Sequence, residues 1–302
     1  MVLVPILNRS LVHVKGVMAR EWEFQFTSQG GEALRALVLE PDAPRGTTGV
    51  MLVVHGHGNS RYQYRHMMRD FAQRYDLYCL SPEYRHSGFA ANDTGKGIVE
   101  PYDASHLQVV DCLQAYVELL GKVPVGNFRR SYIWGGSQGG HIALLASAWL
   151  PNTFAVTVDC CGQVRPEPDR ETMALRGWDE DDVEIRDASR FAHLISSTVY
   201  IVHGDADEVV PIEQSRLMEE ALRKAGKNLV VRYYPGGDHF LRPVTTRAQA
   251  TIDLADDDLR HRELPGPNDF ERGTQEVLRT AHRVYAVRCA TGAVTLVGPL
   301  AS

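Results

Sequence analysis

Trp22, Phe24 and Phe26 alternate with polar neighbours, a glycine turn (SQGG) follows, and ALRALVLE resumes the apolar pattern. Period-two alternation on both sides of a turn predicts an opening β-hairpin. Further on, the apolar residues gather into short, nearly continuous runs at 49–55, 75–81, 131–135, 154–160, 198–203 and 229–234. Apolar spacing of three and four predicts helices between them, near 61–73, 104–121, 138–149 and 213–225, and another at 269–288. Strands that are apolar on both faces belong to a parallel sheet covered by helices. The expected architecture is therefore α/β, with residues 1–302 forming one domain.

Two stretches break this alternation. Residues 162–191 are polar and proline-bearing and lie between two predicted strands. Insertions at such strand ends form either a small cap over a site or surface decoration. As a cap, the segment would turn Met173, Leu175 and Trp178 inward and DEDD (179–182) to water. Residues 241–268 read as an irregular insertion, although the acidic cluster at 253–259 has the look of a solvated helix face.

Composition narrows the function. The chain has 302 residues, 44% of them hydrophobic and 23% charged, with a net charge of −6. That balance lacks the basic stripe a nucleic-acid partner requires. No apolar run approaches the roughly 20 residues of a membrane span, and the apolar start MVLVPIL lacks a basic leader. No membrane partner and a cytoplasmic location are expected. Five cysteines without CxxC spacing read as buried free thiols in a reducing compartment.

In a parallel sheet, chemistry gathers beyond the carboxyl ends of the strands. Four such ends carry HGHGNS, GGSQGG, HGDADEVVP and PGGDHF. Gly135 to Gly139 match G-x-S-x-G between a strand and a helix, the context in which a sharp turn lifts a serine hydroxyl clear of the sheet. Ser137 is the candidate nucleophile, His239 the candidate base, and Asp207 the candidate acid that orients it. Asp205 and Glu208 compete with Asp207 for that place; Asp205 could instead bind amides in its own turn, and Asp238 its own loop. Acyl transfer also needs donors for an oxyanion, for which the backbone N–H groups of Gln138 and His57 are the candidates. The histidine pair His55 and His57 could also suggest a metal, but backbone donors already explain that loop. No metal or organic cofactor is expected.

These motifs, in the order Ser137, Asp207, His239, resemble an α/β-hydrolase from about residue 20 to 290. RRSYIWGGSQGGHIALLASAWLPNTFAVTVDCCG and DASRFAHLISSTVYIVHGDADEVVP resemble the catalytic domain of prolyl-oligopeptidase-like serine hydrolases. The resemblance implies an eight-stranded, mostly parallel sheet and a cofactor-free acyl-enzyme mechanism, and it carries over all three residues as the triad. A serine at 137 sets the chain apart from the cysteine-dependent dienelactone hydrolases. Two departures stand out. Peptidases of the group usually place an aromatic residue after the nucleophile, where this chain has Gln138. They also carry an N-terminal β-propeller, for which the twenty residues before the first strand are too few.

The expectation is therefore a carboxylic ester hydrolase acting on small or medium acyl groups. The alternative is a peptidase or amidase acting on small peptides, and a catalytically silent binding protein comes third. Arg61, Tyr62, Tyr84, Arg85 and Trp178 could line a pocket for a small ester or amide substrate, or simply pack the loops. The oligomeric state is left open, with a homodimer among the options.

Overall fold

The computed structural model describes residues 9 to 11, 20 to 290 and 292 to 300. The hairpin forms from β2 (Arg20–Thr27) and β3 (Ala33–Leu39), with Trp22 opposite Val38 and Phe26 opposite Leu34. Trp22, Phe24 and Phe26 are buried on one face of β2. This is the one-sided burial that period-two alternation encodes. A short strand, β1 (Arg9–Leu11), pairs with the outer edge of β2.

The remaining strands are β4 (Gly49–Val54), β5 (Leu77–Pro82), β6 (Ser131–Gly136), β7 (Val156–Cys160), β8 (Thr198–Gly204) and β9 (Leu229–Tyr234). Their order in the sheet is β1-β2-β3-β5-β4-β6-β7-β8-β9. From β5 to β9 all neighbours are parallel, while β3 meets β5 antiparallel. The expected eight-stranded, mostly parallel sheet is thus β2 to β9, and β1 extends its edge. Every residue of β4 to β8 is buried, which explains their unbroken apolar runs.

One face is covered by α2 (Leu107–Lys122), α3 (Gln138–Trp149) and α6 (Ile212–Lys224), the other by α1 (Arg65–Tyr75) and α7 (Arg247–His261). α1 buries Met68, Phe71, Ala72 and Tyr75, a spacing of three and four that turns one stripe to the sheet. Trp134 of β6 is fully buried and donates through Nε1 to Thr251 Oγ1 at 2.9 Å, tying the strand before Ser137 to α7. No helix among the described residues is long and apolar enough to cross a membrane. All five cysteines are free and buried.

Three expectations are corrected here. Residues 241–268 are not irregular: they contain α7, capped by Thr246 Oγ1, which accepts from Gln249 N at 3.1 Å. Its buried Thr251, Ala255 and Leu259 recur every four residues, but the run of aspartates between them masked the stripe. Conversely, 269–288 is not a helix. The short α8 (Asp269–Arg272) stops at Gly273, whose φ of 64° is left-handed, and β10 (Gln275–Arg279), β11 (Val284–Ala290) and β12 (Ala293–Leu300) form a separate antiparallel sheet. The β-branched and aromatic residues of VYAVRC favour the strand, and the sheet docks on α2, where the Gln114 side chain bonds Val294 N at 3.0 Å and Gly292 O at 3.1 Å.

The third correction concerns residues 162–191, which hold α4 (Arg170–Arg176) and α5 (Glu180–Glu184). Leu175 is 63% exposed, so it forms no apolar underside. Asp181 is buried rather than wet, because it accepts from His282 N at 2.9 Å on the β10–β11 turn.

Candidate functional site

Ser137 sits between β6 and α3 with φ 61° and ψ −128°. A non-glycine residue there is strained by roughly 1–3 kcal/mol and persists only where its surroundings enforce it. The enforcement is visible. Ser137 N donates to Cys160 O at 3.0 Å, and its carbonyl accepts from Gly140 N at 2.9 Å. A Cβ on Gly135 would lie 1.9 Å from Gly139 O, and one on Gly139 would lie 2.2 Å from Val54 O. The glycines therefore let strand, turn and helix approach more closely than side chains permit. Ser137 itself is only partly buried, at the mouth of this turn.

The ends of β8 and β9 are drawn together by the same device, since a Cβ on Gly204 would lie 2.1 Å from Gly237 O. Across this contact Ala206 N donates to Gly237 O at 3.0 Å. The carboxylate that meets the histidine is Asp207: its Oδ2 lies 2.7 Å from His239 Nδ1. Oδ1 accepts from Val209 N at 2.8 Å and Val210 N at 2.9 Å, and His203 Nε2 stands 3.1 Å from Oδ2. Burial pushes this carboxyl up, but the bonds from His203, His239 and the two amides outweigh it and hold it well below the usual range. Asp205 instead accepts from Gly236 N at 2.6 Å, an amide of the neighbouring turn after β9 rather than of its own, and Asp238 accepts from Phe240 N and Arg242 N within its own turn. Glu208 is exposed.

Arg247, the first residue of α7, connects the two halves. Its Nη2 donates to the His239 carbonyl, and Nη1 to Tyr64 Oη at 2.8 Å. A Cβ on Gly136 would come 2.7 Å from Nη1. One buried guanidinium thus touches both the strand end before Ser137 and the loop that carries His239.

The loop after β4 lies against Ser137: a Cβ on Gly56 would be 3.4 Å from Ser137 Cβ. Tyr84 Oη donates to His55 O at 3.0 Å and lies 3.2 Å from Gly56 O, while its ring stacks on His55 at 4.0 Å. Burial pushes the His55 imidazole down to about 3, so it is neutral. Among the described residues, the backbone N–H groups of His57 and Gln138 meet no protein acceptor. The Gln138 side chain is held from all sides. Its Oε1 accepts from Tyr102 Oη at 2.7 Å and lies 3.2 Å from His57 Nδ1, and its Nε2 donates to Gln108 Oε1 at 2.7 Å. His57 Nδ1 and His55 Nδ1 face different partners, Gln138 Oε1 and Gly56 O.

The pocket candidates separate. Tyr84 supports the loop after β4, and Arg85 is buried in a two-pronged pair with Asp111, at 2.8 and 2.6 Å. Arg61 is buried between Glu23 at 3.2 Å and Glu83 at 3.0 Å, and Tyr62 bonds Glu23 at the surface. Trp178 stacks under Arg186 at 3.9 Å and beside Arg176 at 5.1 Å. Arg176, at the end of α4, also stands over the Tyr102 ring at 5.7 Å and pairs with Glu100 at 3.1 Å. Tyr102 meets His57 edge-on at 4.8 Å. The segment 162–191 therefore reaches the rim beside His57 and Gln138 through Arg176. Tyr102, Arg176 and Arg247 carry no motif in the sequence, and only folding brings them here.

A family model described as the prolyl oligopeptidase family matches residues 104–256, a span that contains Ser137, Asp207 and His239. An uncharacterized peptidase, YuxL, of Bacillus subtilis (strain 168) is 25% identical over 250 residues, covering 72% of this chain and 35% of that protein. Dipeptidyl peptidase family member 6 of Caenorhabditis elegans is 26% identical over 215 residues, covering 64% of this chain and 28% of that protein. Among solved structures, the acylaminoacyl peptidase of Pyrococcus horikoshii superposes with a TM-score of 0.66 at 16% identity, over 82% of this chain and 42% of that one. The chain spans about a third of the length of the curated relatives it matches.

Proposed function

Because the chain belongs to the prolyl oligopeptidase family of serine hydrolases, we propose that it cleaves short peptides or peptide-like amides through an acyl-enzyme on Ser137. The observation that carries the reading is the family match over a span in which Asp207 meets His239 at 2.7 Å and Ser137 occupies a strained strand-to-helix turn.

In this reading Ser137 Oγ attacks the carbonyl carbon while His239 Nε2 takes its proton. Asp207 holds Nδ1 and stabilises the imidazolium. The carbonyl oxygen becomes an oxyanion and accepts from the free N–H groups of His57 and Gln138. His239 then returns the proton to the leaving amine as the C–N bond breaks. Water, deprotonated by the same imidazole, attacks the acyl-enzyme, and the acid product leaves with Ser137 restored.

The preference for esters over amides is revised. It leaned on the short stretch before β2, and a chain that spans a third of its relatives says nothing about what adjoins it. The two curated relatives are both called peptidases, which supports amide cleavage. Ester hydrolysis is the second reading, favoured by Gln138 in a position where peptidases of this type carry an aromatic residue. A panel of aminoacyl and dipeptidyl anilides, assayed beside acyl esters with Ser137→Ala as control, decides between them. Turnover of at least one anilide, lost in the variant, is expected. Protein that turns over esters and leaves every anilide intact reverts to the second reading.

A further inference from the structure

Cys161 follows β7, and its N–H donates to Val202 O at 2.8 Å, which registers it beside the end of β8. Its φ of 53° is left-handed, a conformation glycine adopts freely and cysteine rarely. The strained residue places a thiol against the turn that carries Asp207. Cys161 Sγ, an imidazole nitrogen of His203 and a carboxylate oxygen of Asp207 all lie within 4.8 Å of one another. The side chains of His203 and Asp207 are fully buried, as is Cys161.

We infer that these three residues form an inhibitory site for a thiophilic divalent cation, with zinc the best match. Thiolate, imidazole and carboxylate are the ligand types zinc selects, at about 2.0–2.3 Å each. Tetrahedral ligands at those lengths stand about 3.5 Å apart, so the widest pair closes by up to about 1.3 Å to meet the ion. The Cys161 thiol proton leaves to solvent as the metal–sulfur bond forms. His203 Nε2 lies 2.9 Å from Val210 O and Nδ1 lies 2.7 Å from Ser215 Oγ. When Nε2 takes the metal, the ring proton moves to Nδ1 and is donated to Ser215 Oγ, the outer-shell partner that metal-bound histidines require. The turn above is exposed at Asp205, Ala206, Glu208 and Val209, the side from which a water would enter as fourth ligand.

The consequence follows from a shared atom. Asp207 Oδ2 is the oxygen that holds His239 Nδ1. A cation that engages it weakens that bond and sets a positive charge beside the imidazole that must become cationic. The linear sequence hides the site, because its ligands come from two strand ends and a turn rather than from a spaced motif. The inhibitory half rests on the proposed role of Asp207, whereas the binding half does not.

The test separates these halves. The full chain is titrated with cobalt(II), and the thiolate-to-cobalt charge-transfer band is followed in wild type, Cys160→Ser, Cys161→Ser and Cys161→Gly. The glycine variant relieves the strained φ and so guards against misfolding. The band is expected in wild type and Cys160→Ser and absent from both Cys161 variants. Zinc should inhibit wild-type turnover reversibly with EDTA, and Cys161→Ser, active without metal, should be at least about tenfold less sensitive. No band in wild type, or a band that survives in the Cys161 variants, overturns the site. A Cys161-dependent band with turnover untouched by zinc overturns the inhibitory link alone.

Discussion

α3 begins at the turn of Ser137 and α4 ends at Arg176 beside Tyr102, and the two helices are built in opposite ways. Every residue of α3 from Gln138 to Trp149 is buried, whereas α4 buries none. α3 is fixed by packing against β6 and β7, so the turn at its start inherits the rigidity of the sheet. The segment 162–191 is anchored at both ends by the buried Val164, Ile185, Ala188 and Phe191, while the stretch between, around α4 and α5, carries ion pairs: Arg176 with Glu100, Arg283 with Asp179, and His282 with Asp181. An exposed pair such as Arg283 with Asp179 contributes about 0–1 kcal/mol. The difference is one of support: the turn at Ser137 stands on over-determined backbone, whereas α4 rests on side chains at the surface.

The largest effects should fall on the rigid side. Ser137→Ala and Asp207→Asn are expected to fold as wild type and to lose about three or more orders of magnitude in kcat. Circular dichroism and steady-state assay on one preparation check both halves of that statement. A loss below about tenfold would remove the turn from the chemistry.

A matched pair then separates packing from function. Leu144→Ala, at a fully buried position of α3, should cost about 2–5 kcal/mol of stability. Leu175→Ala, at a 63% exposed position of α4, should stay within about 0.5 kcal/mol. Urea unfolding of both variants gives the difference directly, and equal losses would erase the contrast.

Packing of α3 also carries a pH signature. His141 is fully buried, its Nε2 lies 2.6 Å from Arg186 O, and burial pushes the imidazole down to about 4. The unfolded chain takes up that proton near an ordinary value of about 6.5. Between those values the unfolded state holds a proton the folded state refuses, so stability falls as pH drops through the window. His55 and His106, pushed down by burial to about 3 and about 4, act in the same direction. His141→Gln should flatten part of the slope in melting temperature between about pH 4 and 6.5. An unchanged slope would show that His141 does not contribute.

The smallest effect belongs to the rim. Arg176→Ala removes the contact with Glu100 and the stacking on Tyr102, and should change KM by up to about tenfold with kcat and melting temperature nearly constant. A comparable loss in kcat would move Arg176 from the rim into the reacting centre.

Much of this division was legible in the chain. The parallel strands read correctly because both of their faces are buried, and α3 because its glycines and apolar run admit no other partner. Asp207 and His239 could be picked out because strand ends are where such folds gather polar groups. What stayed hidden lacked a local signal. α7 was obscured by its aspartates, and β10 to β12 by apolar spacing that fits two periods. Tyr102, Arg176 and Arg247 reach the site only through tertiary packing. Tyr84 and Arg85, read as pocket candidates, support the loop after β4 and pair with Asp111.

Active-site labelling tests most directly whether Ser137 is the nucleophile. The full chain is treated with a fluorophosphonate, digested, and the adduct located by mass spectrometry, with Ser137→Ala and heat-unfolded wild type alongside. A single adduct on Ser137 of the folded wild type, and none in either control, is the predicted result. An adduct on another serine, or labelling that persists in Ser137→Ala, would contradict it.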